Sequence, residues 1–145
     1  MDAQLIGGPG QILSDEAVRS FVAEQLGRRP LDGRSVCVLV PDQTRSCPLP
    51  LLLSAVHSAL HGRVSRLTVL IALGTHAALT EAQLSAHLGY LPGRLSERYP
   101  GMTVVNHEWW KPETFASVGV IGATRMAELS DGLLADAVDV RLRRR

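Results

Sequence analysis

Val36-Cys37-Val38-Leu39-Val40-Pro41-Asp42-Gln43-Thr44-Arg45 passes from a β-branched and aliphatic run straight into a polar cluster. Further on, Leu67-Thr68-Val69-Leu70-Ile71-Ala72-Leu73 does the same and ends in Gly74-Thr75-His76. A continuous apolar run of this length reads as a strand buried on both faces of a parallel sheet. Open α/β sheets bind ligands just beyond the carboxyl ends of their strands. Asp42, Thr44, Arg45 and His76 are therefore expected to converge on one crevice. Between the two runs, Pro48 and Pro50 suit the first turn of a helix, where a missing N–H costs nothing. Leu51 to Leu60 continues that helix and Gly62 closes it. The whole reads as a β-α-β unit.

Working outward, Ser14 is a good N-cap, followed by Asp15 and Glu16 in the first turn of a helix. Val18, Phe21, Val22 and Leu26 recur at helical spacing and give it one buried stripe. The residues before it, with Gly7, Gly8, Pro9 and Gly10, read as an irregular arm. Past His76, Thr80 and Gln83 form a capping box for a helix that carries Leu84 and Leu88 inward and stops at Gly89. Met102 to Val105 is a third strand, and it too ends in polar groups, Asn106 and His107. Beyond it the periodicity weakens. Glu108 to Pro112 is an aromatic-rich loop, Val118 to Gly122 a candidate strand, and Ala135 to Leu142 alternates like an edge strand. The expected fold is α/β: a Rossmann-like, mostly parallel sheet with flanking helices. Residues 1–34 are expected to form an arm and helix, and residues 35–145 a partial α/β domain.

A chain of 145 residues can bury a core as one domain. Its formal net charge of +1 gives no support for a nucleic-acid or anionic-membrane partner. Arg141, Arg143, Arg144 and Arg145 read as a solvated tail or as a strand end cut from a longer chain. Cys37, inside the first strand, is expected to act as a small buried hydrophobe, and Cys47 to be partly exposed. Without a secretory signal a disulfide between them is not expected. No apolar run is long enough to span a bilayer, so a cytoplasmic protein is the default.

The polar tips carry the chemistry. Arg45 presents a planar fork that grips a carboxylate or phosphate with two bonds. Asp42 reads either as an acceptor for a ribose hydroxyl or as a partner holding Arg45 across a tight turn. Thr44 can donate to a phosphate oxygen. His76 is the natural proton carrier, because an unperturbed imidazole titrates near neutrality; the plainer alternative is a ring that only caps the next helix. His107 reads equally as a ligand contact or as a structural group. Trp109 and Trp110 suit loop packing or contact with a partner domain better than stacking on a flat ligand. His57, His61 and His87 lie on helices and make no metal-ligand pattern with the cysteines. No Walker A sequence, dinucleotide fingerprint or nucleophile elbow is present.

Taken in order, Val40-Pro41-Asp42-Gln43-Thr44-Arg45, Ile71-Ala72-Leu73-Gly74-Thr75-His76, Leu79-Thr80-Glu81, Leu88-Gly89 and Asn106-His107-Glu108-Trp109 resemble the N-terminal domain of the nickel-dependent lactate racemase family. The resemblance covers roughly residues 35 to 142. It implies a two-domain α/β isomerase that interconverts the stereoisomers of a 2-hydroxy acid with a nickel-pincer nucleotide. It implies that His76 is a general acid/base on the substrate hydroxyl and that Arg45 holds the substrate carboxylate. Asp42, Thr44, Arg45, Thr75 and His107 would contact the cofactor. The family's second histidine, its cofactor-tethering lysine and its nickel-ligating histidine have no counterpart here; the sole lysine, Lys111, lies in a different context. The chain is therefore expected to supply only part of an active site, completed by a missing C-terminal portion or a partner chain. Apolar surface left bare at that junction would make it self-associate. The competing readings are a non-catalytic nucleotide- or anion-binding half-domain, and another isomerase or oxidoreductase that uses the crevice without nickel.

Overall fold

The computed structural model describes residues 4–143. Residues up to His107 form one compact unit and those from Glu108 another. The compact division thus falls after the third strand rather than at residue 34. The N-terminal helix stays with the first unit because it packs on the next helix in the chain.

In the first unit the elements run α1 (Asp15–Gly27), β1 (Ser35–Pro41), α2 (Leu49–Leu60), β2 (Arg66–Ala72), α3 (Glu81–Leu88), α4 (Leu95–Arg98) and β3 (Met102–Asn106). The three strands are parallel in the order β1-β2-β3, with Val38 opposite Val69 and Val69 opposite Val104. Ser14 caps α1 by accepting from the Ala17 N–H at 3.2 Å. The α1 stripe is half-buried, and Arg19 donates to Ser54 Oγ on α2 at 3.0 Å. On α3 the capping box forms in both directions, and Gly89 ends the helix in the left-handed region at φ 76°.

Val36, Val38, Val40, Leu67, Val69, Ile71, Met102 and Val104 line one face of the sheet. They pack with Leu53 and Leu60 of α2 and Leu84 and Leu88 of α3. Burying each such side chain fully contributes roughly 1.5–3 kcal/mol. The other face differs from the sequence expectation. The row Leu39–Leu70–Val105 crosses all three strands there, with Leu70 and Val105 half-buried. Leu39 is 69 % exposed while its neighbour Val40 is 5 % exposed. Thus β1 is covered on one face only, and Cys37, expected in the core, is exposed as a free thiol. Cys47 is also free and half-buried, as its position after the tip suggested.

The second unit holds a 3₁₀ turn (Pro112–Thr114), β4 (Phe115–Ile121), α5 (Ala123–Leu129) and β5 (Val138–Arg143). β4 and β5 pair antiparallel, with an irregularity between Ser117 and Gly119. Trp109 and Trp110 meet edge to face with ring centroids 6.0 Å apart. None of the described residues from Glu108 onward is fully buried. Arg141 of the basic tail pairs with Asp139 at 2.5 Å, whereas Arg144 and Arg145 lie outside the described residues. No helix among the described residues is long and apolar enough to cross a membrane.

Candidate functional site at the strand tips

Pro41 pairs with Ala72, so β1 and β2 end level and their polar tips lie side by side. The two tips are built alike. After β1 the Arg45 N–H donates to the Asp42 carbonyl at 3.2 Å. After β2 the His76 N–H donates to the Leu73 carbonyl at 2.9 Å. Gly74 permits the second turn because its φ of 59° lies where a side chain is strained. Between the tips opens a cavity of about 330 Å³ lined by Asp42, Thr44, Arg45, Gly74, Thr75 and His76, with Pro41 and Ala72 beneath.

Asp42 sits at the base of this cavity with its side chain 5 % exposed. One carboxylate oxygen accepts from the Thr44 N–H at 3.0 Å and from the Thr44 hydroxyl at 2.5 Å. Such a bond to the backbone two residues on is the usual way aspartate closes a turn. The other oxygen meets the His76 ring at Nδ1. These bonds, Thr44 first and His76 second, lower the Asp42 carboxyl from 3.8 to about 2. A carboxylate that accepts several hydrogen bonds is stabilised in its charged form. The His76 ring is 56 % exposed and faces outward over that buried anion.

This arrangement sets aside one of the two sequence readings of Asp42. It does not hold the Arg45 side chain; its partners are Thr44 and His76. Among the described residues no carboxylate pairs with the Arg45 guanidinium, which stands exposed at the cavity wall. The third tip behaves differently. Asn106 turns its amide to the chain after His76, accepting from Leu79 N–H at 3.1 Å and donating to its carbonyl at 3.0 Å. His107 donates its backbone N–H to Ile71 at 3.0 Å and is not among the residues lining the cavity. The lining of this cavity thus comes from the first two tips. His87, read as an ordinary helix position, donates from Nε2 to the Pro41 carbonyl at 2.9 Å and ties α3 to the end of β1. His57 is buried, with Nε2 donating to the Pro100 carbonyl at 2.9 Å. Neither bond carries a sequence signal, because each joins residues more than forty positions apart.

The described residues contain no group of three or more His, Cys, Asp or Glu side chains arranged to hold a metal ion. Lys111 pairs with Glu108 at 2.5 Å in the second unit. Among the described residues, the donors gathered at the tips are therefore an anion-gripping guanidinium, Arg45, and a proton carrier, His76.

Comparison with known proteins agrees with this fold. A crystal structure of a Thermotoga maritima protein superposes with a TM-score of 0.78 at 24 % sequence identity, covering 97 % of this chain and 32 % of that one. It shares the fold, and this chain spans about a third of its length. A search of curated proteins found no match. The family model of the lactate racemase N-terminal domain matches residues 14–130, which take in both tips and all three parallel strands. This chain belongs to the lactate racemase N-terminal domain family.

Proposed function

We propose that this chain supplies the anion-binding and proton-transfer part of a racemase or epimerase acting on a 2-hydroxy acid. The observation that carries the reading is the shared cavity. On adjacent strand ends it holds the Arg45 guanidinium, which no described carboxylate neutralises, and the outward imidazole of His76. A 2-hydroxy acid has its carboxylate and hydroxyl on neighbouring carbons. Arg45 would grip the carboxylate with paired bonds, and His76 would take the hydroxyl proton and return it. The family is associated with nickel-pincer nucleotide racemases, whose cofactor supplies the redox chemistry at the substrate carbon. Thr44, Thr75 and His107 remain proposed cofactor contacts; of these only Thr44 and Thr75 line the cavity. A C-terminal portion or a partner chain would complete the site; this chain spans about a third of the Thermotoga maritima protein.

Two measurements test this. Titration with D- and L-lactate, followed by the backbone amide NMR signals of Thr44, Thr75 and His76, should show binding that Arg45→Gln abolishes. A full-length protein that carries this chain with the completing portion, loaded with the nickel-pincer nucleotide, should racemise a 2-hydroxy acid, and His76→Ala should cut that rate by roughly 10²–10⁴-fold, whereas this chain alone should not turn over substrate. An unchanged rate would remove His76 from the mechanism. A second reading is a non-catalytic anion-binding half-domain, supported by the exposed Arg45 guanidinium at the cavity wall. Lactate and inorganic phosphate binding alike, with no racemisation by the loaded full-length protein, would select it.

A further inference from the structure

We infer that Asp42 and Thr44 are positioning residues for the His76 ring, acting in series, and that Asp42 is not a ligand contact. The chain runs from the Thr44 hydroxyl and N–H to one oxygen of Asp42, and from its other oxygen to His76 Nδ1. An ionised carboxylate accepts hydrogen bonds and cannot donate them. The proton between Asp42 and His76 therefore belongs to the imidazole, on Nδ1. In the neutral ring this places the lone pair on Nε2 and makes that nitrogen the basic one. With both Asp42 oxygens bound inside the chain and the side chain 5 % exposed, little of the carboxylate is left to meet a ribose or a phosphate. That differs from the cofactor contact the family resemblance implies for Asp42.

The chemistry follows from the tautomer. When Nε2 takes a proton from a substrate hydroxyl, the O–H bond breaks, its electron pair stays on oxygen, and the ring becomes an imidazolium. That cation forms against a carboxylate already ionised and held, so no carboxyl has to reorient as the charge appears. Thr44 contributes through Asp42: its two donors fix the carboxylate plane, and that plane fixes the ring. The role in catalysis rests on the proposed reading of His76 as proton carrier; the tautomer does not.

Long-range ¹H–¹⁵N spectra of the histidine-labelled chain test this without substrate or cofactor. The His76 signals are assigned by their loss in His76→Gln. At a pH where the ring is neutral, wild type should show a protonated Nδ1 and an unprotonated Nε2. Asp42→Ala should reduce that form to a minority, and Thr44→Val should keep it while raising the Asp42 carboxyl titration. A wild-type ring protonated on Nε2 would overturn the proposal even if Asp42→Ala failed to fold. So would an Asp42→Ala spectrum with the wild-type tautomer. Because no ligand enters this experiment, its failure is distinct from failure of the lactate titration, which tests Arg45.

Discussion

Asn106, the last residue of β3, holds Leu79 by both sides of its peptide, accepting from the N–H at 3.1 Å and donating to the carbonyl at 3.0 Å. The segment that follows His76 is thereby tied to the sheet. Asn106→Ala leaves both groups of Leu79 without these partners, at a cost of about 1–3 kcal/mol. Asn106→Asp keeps the acceptor and should lose less. Urea denaturation of the two variants checks this, and a loss below about 0.5 kcal/mol in Asn106→Ala, the low end for a single hydrogen bond, would contradict it.

Gly89 abuts Pro50 at the start of α2. A Cβ at position 89 would lie 2.7 Å from Pro50 Cβ, and the backbone φ is 76°. Gly89→Ala meets both a steric clash and a left-handed backbone, which alone costs about 1–2 kcal/mol. Gly62 has nearly the same φ of 78°, and a Cβ there would meet nothing within 4 Å. Gly62→Ala should therefore cost only the backbone part, and Gly89→Ala clearly more in the same denaturation experiment. Equal losses would show that Pro50 gives way.

Asp42 makes stability depend on acid. Its folded carboxyl titrates at about 2 against an ordinary 3.8, because the Thr44 hydroxyl and then His76 favour the charged form. The unfolded chain binds the proton more readily, so stability rises with pH across this window. The contribution is fully present above the ordinary carboxylate value and is lost as pH falls through about 2. The melting temperature of wild type should exceed that of Asp42→Asn by a constant margin above about pH 5, and the margin should close as the pH approaches the folded value of about 2. A margin that grows on acidification would reverse the sign.

Leu39 offers apolar surface on the open side of β1. Wild type should self-associate as concentration rises. Leu39→Glu should weaken that association with a stability change within about 0.5–1 kcal/mol, as expected away from the core. Light scattering across a concentration series reads the association and urea denaturation the stability. A wild type that stays monomeric throughout would sink the idea.

Much of this is readable from residue order. The aliphatic runs mark the three parallel strands, Thr80 with Gln83 marks the start of α3, and Gly89 marks its end. Other features need the third dimension. Val36, Cys37, Val38 and Leu39 are all small or aliphatic, so nothing in their types says which face of β1 meets helices. Asp42 has a local candidate partner in Arg45, three residues away. It takes His76 because β1 and β2 pair with their ends level, a relation no single strand encodes. The bonds of Asn106 to Leu79 are hidden from the sequence for the same reason: Leu79 lies in the loop after another strand. The division after His107 is marked only by weakened periodicity, since the residues on both sides of it are polar or aromatic.

The strands stand in the sheet in the order in which they occur along the chain. No strand has to insert between two that are already joined. During synthesis each new strand can add to the free edge of the one before it, with a helix delivered in between to cover the growing core. Assembly of the first unit can then keep pace with translation, and the crevice is complete once the second parallel strand and its tip have emerged, before β3 is made.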